Sequence, residues 1–98
     1  MNKKIKLTDY LAQYLKNKKI RNIYAVTGGA NLHIIDSLSK IKNNKLIFSH
    51  HEQASAFAAQ AASRVKNIPS VCVVTTGPGG SNSLTGLLSA WQDSIPTI

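Results

Sequence analysis

Apolar positions along the chain follow two alternating periods. Tyr10, Leu11, Tyr14 and Leu15 stand at i, i+1, i+4 and i+5, which predicts an amphipathic helix with Thr8 as its cap and an end near Lys19. Asn22-Ile23-Tyr24-Ala25-Val26 reads as a strand, stopped by Gly28-Gly29, where missing side chains let the backbone turn sharply or approach a ligand. Asn31 is positioned to cap a second helix, whose Leu32, Ile34, Ile35, Leu38 and Ile41 form one apolar face before Asn43-Asn44 closes it. Lys45-Leu46-Ile47-Phe48 has the composition of a buried strand and runs into a third helix that reaches about Lys66, with Ala54, Phe57, Ala58, Ala61, Ala62 and Val65 at helical spacing. Ser70 to Thr75 is a continuous apolar run of the kind covered on both faces, a candidate for the centre of the sheet. A glycine-rich stretch follows, then Leu84, Leu87, Leu88 and Trp91 on a last helical face, and Ile95-Pro96-Thr97-Ile98 as the start of another strand.

Strand and helix therefore alternate throughout, which predicts an α/β fold with a parallel sheet, right-handed crossovers and helices on both faces, a three-layer α/β/α arrangement. With 98 residues there is room for one domain at most, and no internal boundary is marked by a linker or repeat. The alanines of the third helix permit either close approach of neighbouring backbone or subunits or plain packing on the sheet.

Composition narrows the function. At 43% hydrophobic and 16% charged residues the chain is globular in character, and no apolar run approaches the roughly 20 residues that span a bilayer, so no membrane partner is expected. The basic start, Met1 to Lys6, lacks the apolar block of a secretory signal, which points to the cytoplasm. The net charge of +8 invites a nucleic-acid reading. Its distribution argues otherwise: Lys3, Lys4, Lys6, Lys16, Lys18, Lys19 and Arg21 crowd the start, while the glycine-rich and alanine-rich stretches carry almost no charge. A solvated basic face, with no nucleic-acid partner, is the expectation. Cys72, the lone cysteine, lies within Val71-Cys72-Val73-Val74 and reads as a buried inert thiol. His33, His50 and His51 lack paired metal-ligand spacing, so no metal site is expected within the chain. They read as structural, although His50 or His51 could line a cleft at the sheet edge.

Glu52 is the only glutamate, and it falls in the first turn of the third helix at the carboxyl edge of the sheet, where open α/β folds bind ligands. The helix N-terminus favours its carboxylate, whereas burial in a cleft favours the neutral acid. Glu52 is then either a favourable first-turn acid or a group poised to move a proton. The glycine loops match no phosphate motif: Gly77-Pro78-Gly79-Gly80-Ser81-Asn82 lacks the third glycine of a dinucleotide fingerprint, and Pro78 removes a backbone donor.

Four motifs taken together carry a resemblance: Val26-Thr27-Gly28-Gly29-Ala30, His51-Glu52-Gln53-Ala54, Val74-Thr75-Thr76-Gly77-Pro78-Gly79-Gly80-Ser81-Asn82, and Asp93-Ser94-Ile95-Pro96. In this order they resemble the amino-terminal pyrimidine-binding domain of thiamine-diphosphate enzymes, most of all the acetolactate synthase large-subunit group, from about Leu7 to Ile98. The resemblance implies that residues 1–98 are the N-terminal part of such a domain, incomplete at the carboxyl end. It implies that Glu52 is catalytic, hydrogen-bonding N1′ of the aminopyrimidine so that the imino tautomer removes the C2 proton of the thiazolium. Thr27, Gly28, Thr75, Pro78 and Asn82 would join Glu52 in binding the cofactor. The family usually has proline where this chain has Thr27, a departure seen in relatives that resemble carboligases of surface-sugar gene clusters. In the family, diphosphate and magnesium are held by a separate carboxyl-terminal domain of another subunit, some members carry FAD, and homodimers or tetramers form. The implied partners are the remaining domains of the same enzyme, and the implied reaction is decarboxylation of a 2-keto acid such as pyruvate followed by ligation. The chain alone is expected to be inactive. Two other readings are a nonfunctional gene remnant and a stand-alone basic α/β binding module.

Overall fold

In the computed structural model, which describes residues 3–98 and leaves Met1 and Asn2 of the basic start outside, the two periods become alternating helices and strands. Helix α1 (Leu7–Asn17) ends against Lys19, whose φ of 61° is left-handed. Thr8 is not its cap. Lys6 holds that position, and Thr8 Oγ1 lies 2.8 Å from Ser37 Oγ, which in turn donates to Asp9 Oδ1 at 2.6 Å. These bonds tie α1 to α2 (Leu32–Ser39). The inward face of α1 is Ala12 and Leu15, whereas Tyr10 and Tyr14 are exposed, because small Ala12 lets the two helices lie close.

Strand β1 (Asn22–Ala25) runs between β2 (Lys45–Phe48) and β3 (Val71–Val73), all parallel, with Tyr24 opposite Ile47 on one side and Cys72 on the other. The central strand is thus β1, not the Ser70–Thr75 run. Beyond β3 there is one further parallel bridge, Ser70 to Thr97, with the Cys72 N–H donating to Ile98 O at 2.8 Å. This bridge is as much as forms of the strand expected at Ile95 to Ile98. β2 is an edge, and Ile47 and Phe48, expected to be buried, stand about half exposed. Apolar composition marks a strand but does not distinguish an edge from a centre.

The chain steps from β1 outward to β2, then back across β1 to β3, so right-handed crossovers place α2 and α3 (Glu52–Lys66) on opposite faces. Side-chain packing agrees. Ile23, Ala25, Val71 and Val73 form one cluster with Ala12, Leu15 and Leu38 from the α1–α2 layer. On the other face α3 packs on β1 and β3, and α5 (Leu84–Gln92) packs on α3. This is a three-layer α/β/α fold with an open parallel sheet.

The α3–α5 contact overturns the expected inner faces of both helices. A Cβ placed on Gly86 would lie 2.4 Å from Ala56 Cβ and 3.1 Å from backbone atoms of Ala56 and Phe57. Helices this close admit only small or slender groups between them, so α3 buries Ser55, Ala56, Ala59, Gln60 and Ser63 while Phe57 and Val65 face outward. Gln60 Nε2 donates to Ser89 Oγ at 3.1 Å across the contact. On α5 the inner residues are Gly86 and Ala90; Leu84, Leu87 and Leu88 are exposed, and Trp91 is 83% exposed. The small residues of α3 thus serve close helix packing within this chain.

Candidate functional site

Because the chain leaves β1 in one direction and reaches β3 in the other, the loops after these two strands meet at the carboxyl edge of the sheet, the position where open α/β sheets form a crevice. The first loop is held by Asn31, whose Nδ2 donates to Val26 O and whose Oδ1 accepts from the Gly28 N–H, both at 2.9 Å. Asn31 is 2% exposed and makes no side-chain cap, contrary to its sequence-based assignment. Its amide is engaged by the loop behind it instead.

Gly28 is extended (φ −161°), so its lack of a side chain answers to space and not to conformation: a Cβ there would lie 2.6 Å from both Cβ and Cγ2 of Thr75. Thr75 Oγ1 also accepts a 3.3 Å bond from the Ala30 N–H. The structure thus brings together Gly28 and Thr75, which the sequence assigned to one site, and adds Asn31 and Gly79. Above Gly79 the same Thr75 Cγ2 would sit 2.8 Å from an added Cβ. Thr27 is exposed on the loop beside Gly28.

The second loop turns through Gly77, whose φ of 69° is left-handed and favours glycine, into the short helix α4 (Pro78–Asn82). Pro78 is its first residue, where the absent N–H has no helical partner to lose. Asn82 ends α4 and points back: its Nδ2 donates to Glu52 Oε2 at 3.1 Å. The other oxygen, Oε1, lies 3.6 Å from the place a Gly79 Cβ would occupy.

Glu52 opens α3, and the preceding His51 caps that helix by accepting the Gln53 N–H on Nδ1 at 3.0 Å. His51 is structural, as the sequence suggested, although cap patterns centred on Ser, Thr, Asp and Asn do not signal it. The Glu52 carboxyl is held below the ordinary glutamate range first by its own backbone N–H, then by the Asn82 amide, with a smaller contribution from His51; partial burial opposes them and loses. The two influences weighed on the sequence therefore resolve in favour of the carboxylate. Below it on β3, the half-buried Cys72 thiol is pushed up by burial and then by the charge of Glu52.

Elsewhere the charge distribution sharpens. Lys16, Lys18 and Lys19 at the end of α1, Arg21 before β1, Lys42 and Lys45 at the start of β2, and Lys66 at the end of α3 all belong to the amino edge of the sheet, opposite Glu52. Among the described residues no group of three or more His, Cys, Asp or Glu side chains could hold a metal, and no helix is long and apolar enough to cross a membrane.

Residues 5–98 match the family described as thiamine pyrophosphate enzyme, N-terminal TPP binding domain. The chain is 42% identical over 91 residues to the acetolactate synthase large subunit of Cyanidium caldarium, covering 90% of this chain and 16% of that protein. It is 33% identical over 90 residues to the acetolactate synthase isozyme 1 large subunit of Escherichia coli (strain K12), covering 92% and 16%. To acetolactate synthase 2, chloroplastic, of Nicotiana tabacum it is 33% identical over 91 residues, covering 93% and 14%. The chain thus spans 14 to 16% of the length of these relatives.

Proposed function

Since the chain belongs to the thiamine pyrophosphate enzymes, matching their N-terminal TPP-binding domain, we propose that it supplies the pyrimidine side of a thiamine diphosphate site, with Glu52 as the proton-carrying group. The observation that carries this reading is the setting of Glu52. The sole glutamate stands at the carboxyl edge of the sheet with one oxygen bonded to Asn82 and the other over side-chain-free Gly79. Residues present fit a ring with a hydrogen-bonding edge: Glu52 offers a charged acceptor at the sheet edge, and Gly28 and Gly79 let the two loops close on the Thr75 side chain beside it.

Thiamine diphosphate, when bound, supplies the electron sink for cleavage and ligation of 2-keto acids. This chain's own part is to bind, orient and exchange a proton. Glu52 accepts or returns a proton at its carboxylate, a general acid–base contribution worth about 10²–10⁴-fold in such reactions. Thr27, Gly28 and Thr75 form one wall, Pro78 and Asn82 the other. The diphosphate, its magnesium and any FAD belong on this reading to other domains of the same enzyme, which acts in the cytoplasm as a homodimer or tetramer. Relatives named acetolactate synthase support pyruvate as a substrate of the whole enzyme. The chain alone has no turnover.

A hybrid tests this directly. Residues 5–98 replace the matching segment of the Cyanidium caldarium large subunit, and purified hybrid is assayed for acetolactate from pyruvate. Product formation that Glu52→Gln abolishes is expected; a folded hybrid whose activity is indifferent to Glu52→Gln contradicts the proposal.

A further inference from the structure

Asn82 ends a short helix that grows out of the β3 loop, whereas Glu52 begins the helix that follows β2, so their bond joins two separate segments across the crevice. Bond geometry fixes which oxygen is engaged. The amide donates to Oε2 at 3.1 Å, and only the Nδ2 side can face a carboxylate favourably, since Oδ1 there would set acceptor against acceptor. Oε1 stays clear of this bond and lies toward Gly79, 3.6 Å from where a Cβ would stand. A carboxylate has two oxygens of equal basicity until something distinguishes them; beside the residue's own backbone N–H, the Asn82 amide adds a neutral donor on Oε2 without bringing a charge that would compete for the proton.

We infer that Asn82 is a positioning residue for Glu52: it occupies Oε2 as an acceptor and so presents Oε1, over Gly79, as the oxygen that gives and takes the proton. The inference rests on the proposed function and deepens it, giving Asn82 a partner within the protein besides its place in the wall of the site. Gly79 itself answers to Thr75, whose Cγ2 a Cβ there would meet at 2.8 Å, while Oε1 would be left at an ordinary contact distance of 3.6 Å. The titratable neighbours that bear on Glu52 are His51 beside it and Cys72 on β3; neither reaches Oε2, so neither substitutes for the amide.

The test uses the fact that Glu52 is the sole glutamate: labelling the chain with [δ-¹³C]glutamate gives one carboxyl resonance, whose titration is followed by NMR without any cofactor. Asn82→Ala removes the donor, and Asn82→Asp keeps the shape but turns it into a second carboxylate. The expected order of the Glu52 midpoint is unmodified chain lowest, Asn82→Ala higher, Asn82→Asp highest. Asn82→Asp is nearly isosteric, so it answers the question even where Asn82→Ala loosens α4. A purely structural role predicts no such order. Equal midpoints in all three, or Asn82→Asp below Asn82→Ala, overturn the inference while leaving the proposed function standing. The proposed function fails separately, through a hybrid enzyme indifferent to Glu52→Gln.

Discussion

Gly28→Ala is the perturbation that best probes how the two loops of the crevice are joined. The added Cβ would meet Thr75 Cβ and Cγ2 at 2.6 Å and Oγ1 at 2.8 Å, about 1 Å inside ordinary carbon contacts. Turning the Thr75 side chain gives no relief, because Cβ is fixed to the backbone and both branches crowd the same point. One loop must move. Overpacking of this kind costs about 1–3 kcal/mol, and in a domain of this size each kcal/mol lowers the melting temperature by about 4–8 °C. The backbone itself raises no objection, since Gly28 is extended at φ −161°. In a Thr75→Gly background every atom in conflict is gone, so there the same change should be neutral or stabilising by about 0.4–1 kcal/mol through the unfolded chain. Thermal unfolding followed by circular dichroism on the four proteins of the cycle gives the coupling, expected at about 1–3 kcal/mol. If Gly28→Ala costs as much without the Thr75 side chain as with it, the loops do not meet as described.

Gly86→Ala places a methyl 2.4 Å from Ala56 Cβ and near α3 backbone, so it should destabilise by about 1–3 kcal/mol despite a gain of about 1 kcal/mol in helix propensity; a raised melting temperature would remove the close α3–α5 contact. His51→Ala loses the N-terminal cap of α3 and should cost about 1 kcal/mol, while His51→Asp should restore most of it; equal melting temperatures for the two variants would argue against the cap. Because Glu52 titrates below its ordinary value of 4.5, its ionised form favours the folded chain: that contribution is full above about 4.5 and is lost as pH falls through the folded value. Glu52→Gln should therefore flatten this part of the acid limb in a pH series of melting temperatures, and an unchanged limb would contradict the assigned direction.

Where elements fall was legible in the residues; which way their faces turn was less so. Periodicity located the three strands and the four longer helices but not α4, which lies in a stretch read as a glycine-rich loop, and the glutamate at the end of β2 was marked by its uniqueness and by the strand-to-helix change at Ser49–Glu52. The inner face of α3 was misread because apolarity points to Phe57 and Val65, whereas closeness selects Ala56, Ala59 and the slender polar residues between them. Gly86 opposite Ala56 is a signal for such closeness, though only once the two helices are known to touch. β2 looked buried because Leu46, Ile47 and Phe48 are apolar, and position within a sheet is a tertiary fact. Thr8 on α1 and Asn31 at the site were expected as caps by residue type, but each has a partner brought by the fold, Ser37 for one and the Val26–Gly28 backbone for the other. The pairing of Asn82 with Glu52 spans 30 positions, and no local pattern announces it.

The most direct test of Glu52 as the proton-carrying group is the rate of hydrogen–deuterium exchange at C2 of thiamine diphosphate bound to the hybrid enzyme, compared with its Glu52→Gln variant. A glutamine keeps the shape and a hydrogen-bonding edge but cannot ionise, so exchange should slow by about 10²–10⁴-fold while cofactor affinity changes far less. Exchange at the unmodified rate in the variant would return Glu52 to the part of a favourable acid in the first turn of a helix and remove the central claim.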